Sequence, residues 1–201
     1  MKTWTLLLLL AVSAGSNAVT LDQLQQRFAA QPVIRAQFTQ QRHISGVAPL
    51  RSSGELLIAR EQGLWWRQRQ PFGLTLILDD RRMVQVTEEQ PPQIITAESN
   101  PQMFQFNHLL RALFQADRAV LEQNFSLEFT DKGQERWRLI LTPRVAPLDK
   151  LFTRIQLEGQ TYLDQIQLQD KQGDATDITF SRQSASPSSL NAQERQRFDV
   201  Q

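Results

Sequence analysis

The chain contains no cysteine. That excludes a disulfide framework and thiolate chemistry, so packing and backbone pairing must hold whatever fold it adopts. Histidine is almost as scarce, with only His43 and His108. Neither has a second histidine or a carboxylate at a metal-ligand spacing, and no HExxH, GxSxG or phosphate-cradling glycine run occurs. The acid pairs Asp79-Asp80 and Glu88-Glu89 fall at predicted strand ends, where they read as solvated turn residues. No enzyme, metal or organic cofactor is expected from this inventory.

An excess of charge of either sign is also missing. The 22 basic and 21 acidic residues nearly cancel, and the arginines are scattered rather than blocked. No global field exists to gather nucleic acid, so no nucleic-acid partner is expected. Long apolar runs are absent except at the start. There, Lys2, the run Leu6 to Val12 and the small residues Ser16-Asn17-Ala18 have the layout of a secretory signal peptide. A membrane span needs roughly 20 apolar residues, more than this run supplies. Residues 1–18 are therefore read as a leader cleaved after Ala18, and 19–201 as one exported mature domain. No cysteine follows the apolar core to take a lipid anchor, so the product is expected to be soluble.

What remains is organised by periodicity. Leu21, Leu24 and Phe28 recur at helical spacing after Thr20, a capping residue, and Pro32 bounds that helix. From Val33 the period becomes two: Ile34, Ala36 and Phe38 alternate with Arg35, Gln37 and Thr39. Further strands are predicted over 52–60, 63–70, 74–80, 82–88 and 93–97, and, later, over 125–131, 135–143, 153–159, 162–170 and 174–181. Asp79-Asp80-Arg81, Asp131-Lys132-Gly133 and Gly159-Gln160 are predicted hairpin turns. Between the blocks, 103–123 loses the alternation. Met103, Phe106, Leu110 and Leu113 mark a broad apolar helical stripe, with a break at Ala116-Asp117. Residues 147–152 read as a loop or single helical turn. The Ser/Ala/Pro-rich tail is predicted irregular, with Phe198 and Val200 docking its end onto the sheet.

About eleven strands in two blocks must curl to bury an apolar side. The expected fold is α+β, an incomplete, half-open antiparallel β-barrel with a helical lid or plug over an apolar cavity. Phe38, Leu56, Trp65, Trp66, Met103, Phe106, Leu110 and Leu113 are the candidate cavity and lipid-binding residues. Trp65 and Trp66 are adjacent on one strand and must face opposite sides, one toward the core and one toward the rim or outer surface. Plain core packing would explain the same aromatics.

The order of elements and several short motifs resemble the periplasmic lipoprotein-carrier (LolA-like) family, from Leu21 to Phe180. The carriers of this likeness are the LxxLxxRF helix, Ala36-x-Phe38-Thr39-Gln40, Ser53-Gly54-Glu55-Leu56, Arg60, Trp65-Trp66, Leu78-Asp79-Asp80-Arg81-Arg82-Met83-Val84 and Leu139-x-Leu141-Thr142-Pro143. The resemblance implies an eleven-stranded open barrel closed by a helical lid. It implies acylated lipoprotein or lipid cargo, an ATP-driven extractor in the inner membrane, and an outer-membrane acceptor, with the carrier a monomer. It also implies that Arg60 latches the lid through backbone carbonyls, a task suited to a fixed fork of five donors. The chain departs from the family pattern at Glu61, where a proline is usual, and at Met83, Val84 and Val86, where aromatics are usual. The alternative from a different class is a lipid- or lipoprotein-sensing regulatory module bound to a membrane partner. Its relatives carry a second C-terminal domain, which this chain is expected to lack.

Overall fold

The computed structural model describes residues 18–199; in the central helix the side chains of residues 102, 103 and 105–107 are outside that description. The predicted leader (all but Ala18) and Val200 therefore lie outside the described residues. Helix α1 (Leu21–Ala29) begins at Thr20, whose hydroxyl accepts from the Gln23 N–H at 3.2 Å. Gln23 returns its side-chain carbonyl to the Thr20 N–H at 3.1 Å, so two otherwise orphaned donors are satisfied.

Six strands follow: β1 (Val33–His43), β2 (Leu50–Ala59), β3 (Gly63–Gln70), β4 (Leu74–Leu78), β5 (Arg82–Thr87) and β6 (Gln93–Thr96). The interrupting helices are α2 (Pro101–Gln115) and α3 (Arg118–Asn124). Then come β7 (Phe125–Gly133), β8 (Arg136–Pro143), the short α4 (Leu148–Leu151), β9 (Phe152–Gly159), β10 (Leu163–Asp170) and β11 (Ala175–Ser184). A last helix, α5 (Ala192–Gln196), lies in the tail.

All eleven strands form one antiparallel sheet in the order β6-β5-β4-β3-β2-β1-β11-β10-β9-β8-β7. The first and last strands pair, joining the two blocks, while β6 and β7 remain the edges. A flat sheet of this size would hold its edges roughly 48 Å apart. Yet α2 packs on β6 and β5, α3 packs on β7, and the two helices touch each other and α1. The sheet is thus curled and left open, with the helices over its inner face, as expected.

The turns follow local chemistry. At Asp79-Asp80-Arg81, Asp79 Oδ1 accepts the N–H groups of Arg81 and Arg82 at 2.8 and 2.9 Å. The Asp131-Lys132-Gly133 signal proves to mark a bulge rather than the turn. The register shifts between Asp131 and Gly133, and the chain reverses at Gln134 and Glu135, both in the left-handed region. Gly54 is required by close approach: a Cβ there would stand 1.9 Å from the carbonyl oxygen of Arg67.

Alternation sorts the strands' side chains into two cores. The inner face carries Ala36, Phe38, Leu56, Leu64, Leu139 and Phe180 among others, packed under Leu109, Ala112 and Leu113 of α2. The outer face of β1 to β5 is also buried, through Val33, Leu57, Trp65, Ile77 and Val84. Its cover is the tail. Phe198 inserts into this second core, and the Arg197 guanidinium lies 4.5 Å above the Trp65 ring. The predicted irregular tail is thus corrected at its end. Asn191 and Glu194 form a capping box that starts α5.

The tail is fastened by a largely buried ion pair, with Arg35 23% and Glu194 9% exposed in their side chains. Arg35 on β1 grips Glu194 through Nε–Oε1 at 2.6 Å and Nη2–Oε2 at 2.8 Å, and also donates to the carbonyls of Pro187 and Ser189. Only 7% of Glu194 is exposed. Its carboxyl is held down to about 2 by the Arg35 hydrogen bonds first, helped by the Asn191 N–H, against an opposing push from burial. A depressed carboxylate stabilises the fold above its ordinary range and loses that contribution as pH falls toward 2; the linkage is worth about 3 kcal/mol. Glu194→Gln should remove this acid dependence and raise hydrogen exchange across residues 185–199 at neutral pH. Unchanged exchange and an unchanged acid-unfolding profile would refute the assignment.

Candidate functional site

The inner face of the curled sheet is the candidate site, and aromatic rings fill it. Phe38 on β1 stacks on Trp66 of β3, with centroids 3.8 Å apart. Trp66 meets Phe180 edge-on at 6.2 Å, and Phe180 meets Phe114 of α2 at 5.9 Å. Gly54 lies directly across from Phe38 in the β1–β2 register and adds no side chain. Phe114 thus reaches from the helix into the ring cluster, and α2 acts as a plug.

Two small spaces remain beside it. One of about 80 Å³ lies between α1, the start of β1, the end of β2 and the end of α2. Its apolar side is Phe28, Ile34, Ile58 and Phe114; its polar side includes Gln25, Gln31, Arg60 and Gln115. A second, of about 20 Å³, continues inward along Leu56, Leu163 and Phe180. Ligand pockets usually measure about 300–1,000 Å³, so with α2 in place neither space is of ligand size. The Gln31 side-chain oxygen is buried beside this cleft without a hydrogen-bond partner. The cleft is therefore amphipathic, with polar groups at its rim and hydrocarbon within.

The structure brings Phe38, Leu56, Trp66, Leu110 and Leu113 together on the inner side, Leu110 only partly buried. The side chains of Met103 and Phe106 lie outside the described residues. Trp65 must be corrected: it belongs to the outer core beneath Phe198, because adjacent residues of a strand project to opposite faces. Arg60 sits at the rim, where its Nη1 donates to the Ala29 carbonyl at 2.9 Å and its backbone N–H donates to Pro32 at 2.9 Å. It therefore ties β2 to the end of α1, and no hydrogen bond joins it to α2 or α3 among the described residues. Glu61 makes no ion pair with it; this acid lines a separate polar groove with Asp79, Asp80, Arg82 and Arg111.

Other residues, which carry no signature in one dimension, hold the plug and the helix that follows it in place. Arg111 on α2 pairs with Asp80 in the β4–β5 turn. Arg118 at the start of α3 donates to both Asp22 oxygens on α1 at 2.9 and 3.0 Å, and to Glu122 at 2.7 Å. Glu122 and then Asp22 raise the already high pKa of Arg118, so it keeps its charge at every physiological pH. Between α2 and α3, Ala116 adopts φ 48° with its side chain buried, a strained conformation for a residue with a Cβ. Asp117 then caps α3 by accepting the Val120 N–H at 3.3 Å. The plug is one helix bounded by a strained joint and fastened at its surface by one ion pair, to the exposed Asp80. No helix among the described residues is long and apolar enough to cross a membrane.

Comparison with known proteins gives this arrangement its relatives. No match was found among curated protein sequences. A LolA superfamily protein from Nitrosomonas europaea is 11% identical, with 88% of this chain and 97% of that one covered at a TM-score of 0.48. The Pseudomonas aeruginosa MucA/MucB complex contains a chain 13% identical, with 86% and 59% covered at 0.46. The profile of LolA-like outer membrane lipoprotein carrier proteins matches residues 13–195. With that match over most of its length, the chain belongs to the LolA-like family.

Proposed function

We propose that this protein is a periplasmic carrier that shields the acyl chains of lipoproteins or related lipids, taking them from an inner-membrane extractor to an outer-membrane acceptor. The observation that carries this reading is the amphipathic cleft leading into an apolar interior whose cover is a single helix. A molecule with hydrocarbon tails and a polar head suits such a cleft: the tails replace α2 against the rings, and the head remains among Gln25, Gln31 and Arg60.

The energetics favour an exchange. Removing an acyl chain from water yields about 0.8 kcal/mol per methylene, on the order of 10 kcal/mol for a long chain. Withdrawing Leu109, Leu113 and Phe114 from the interior costs roughly 1.5–3 kcal/mol each. Cargo and plug therefore compete for the same surface with comparable free energies, which permits both loading and release. A bilayer shelters the chains about as well as the cavity does, so extraction requires outside work, in keeping with an ATP-driven donor. Closing α2 over the empty interior avoids displaying a large apolar patch.

Mass spectrometry of protein purified from the periplasm should detect an acylated molecule, and the empty protein should take up a fluorescent fatty acid. Failure of both would sink the carrier reading. Arg60→Leu removes a charge-assisted hydrogen bond worth about 1.5–3 kcal/mol from the α1 rim. By loosening α1, which packs against α2 and α3, it should favour the open state, retain cargo at least about tenfold more tightly and impair delivery; unaltered occupancy and transfer would show that Arg60 is no latch.

Arg111→Met keeps the buried stem but deletes the surface pair with Asp80, which is worth at most about 1 kcal/mol. Fatty-acid uptake should quicken up to about fivefold, while the midpoint of unfolding barely moves. A lowered melting temperature with unchanged uptake would make the pair structural only.

A further inference from the structure

Three neighbouring turns at one end of the sheet have a surface composition that the carrier reading does not use. They are the β1–β2 turn (44–49), the β10–β11 turn (171–174) and the β8–β9 connection with α4 (144–151). In the strand order these connect six consecutive strands, β2 to β8, a strip roughly 24 Å wide. The Lys171 N–H donates to the Leu151 carbonyl at 3.0 Å, so two of the turns are joined directly.

Large apolar side chains project from this strip: Val47 is 57% exposed, Leu50 54%, Val145 38% and Leu151 48%. Its exposed charges all have one sign, being Arg42, Arg51, Arg144, Lys150 and Lys171. The nearby acids are half-buried and engaged. Asp174 pairs with Arg42 at 3.3 Å, Asp149 with Lys150 at 3.5 Å and Asp177 with His43 at 3.2 Å, and Asp170 accepts the N–H groups of Gln172 and Asp174 at 2.8 and 2.9 Å. Counted together these groups nearly cancel, so the separation is one of depth: the cations stand at the exposed face and the carboxylates lie behind them. Phe72, exposed by 62%, continues the apolar line at the β3–β4 turn, but Glu88 and Glu89 bound the basic strip on that side.

We infer that this end docks on an anionic phospholipid surface, with Val47, Leu50, Val145 and Leu151 entering the headgroup layer and the cations around them meeting lipid phosphates. Apolar tips spread over separate turns suit a soft planar surface. Basic residues carried on long stems at their margins suit its negative charge. The inference is independent of the carrier reading.

The test is flotation of the full protein with phosphatidylcholine vesicles, either pure or containing roughly a quarter phosphatidylglycerol. Binding should require the anionic lipid and weaken with salt. The triple variant Arg51→Gln/Lys150→Gln/Lys171→Gln should lose about fivefold per cation removed, on the order of a hundredfold in all. Leu50→Ser/Leu151→Ser should also weaken binding while keeping its salt dependence. Equal binding to both vesicle types, or a triple variant that floats like the wild type, would overturn the inference. So would absence of vesicle binding, with the triple variant losing instead the capture of an acidic protein domain. Fatty-acid uptake without vesicles reads the carrier function separately: its failure would sink that function and leave the docking intact.

Discussion

The structure depends on one unmet demand: an eleven-stranded sheet with unpaired edges has more apolar inner surface than its own curl can cover. Closing the barrel would remove that surface and the site together. Leaving it open requires a separate cover, and α2 supplies it by lowering Leu109, Leu113 and Phe114 onto Phe38, Trp66 and Phe180. The interior is thus covered by the element whose departure would open it. In the proposed carrier, stability of the empty protein and affinity for hydrocarbon would draw on the same surface, so neither could be strengthened without affecting the other.

The floor and the cover are fastened differently. Behind the floor, the second core and the tail sandwich β1 to β5, with the Arg35–Glu194 pair nearly out of water. Removing one partner of such a pair strands the other and is expensive. The plug is held by Arg111 to Asp80, whose side chain is 82% exposed, and the helix after it by Arg118 to Asp22, 63% exposed. Ion pairs in that setting are worth little and exchange readily with water. The strained backbone at Ala116 further separates α2 from α3. A fixed floor under a lightly fastened cover lets the interior open without loosening the sheet.

Much of this was readable in one dimension because strand alternation and helical spacing are local properties. The strands, the capped α1, the break at Ala116-Asp117 and the Asp79 turn all follow from neighbours a few residues apart. Errors arose where distant parts of the chain decide. Trp65 and Trp66 could be assigned to opposite faces, but alternation does not say that the outer face is also buried, since its cover comes from Phe198. Asn191 and Glu194 resembled an ordinary polar tail until Arg35, 159 residues earlier than Glu194, gave the carboxylate its role. Arg111 and Asp80 are 31 residues apart and carry no motif. The Asp-Lys-Gly signal was real but described a bulge, since the same left-handed glycine serves either feature.

The two ends of the sheet are chemically unlike, and strand length separates them. The cleft lies where β1 begins, near Ile34, and the basic, apolar turns lie beyond its end at His43. Nine residues of extended chain span about 30 Å. A molecule seated on a bilayer by those turns would hold its cleft away from the headgroups, so acyl chains could not slide straight from lipid into the interior. The cleft would instead meet a protein domain standing off the same membrane. Surface docking would then raise the carrier's local concentration and fix its orientation, without offering its apolar interior to bulk lipid. A shuttle gains from that division, because an interior facing the bilayer would fill with the abundant phospholipid before meeting its rarer cargo.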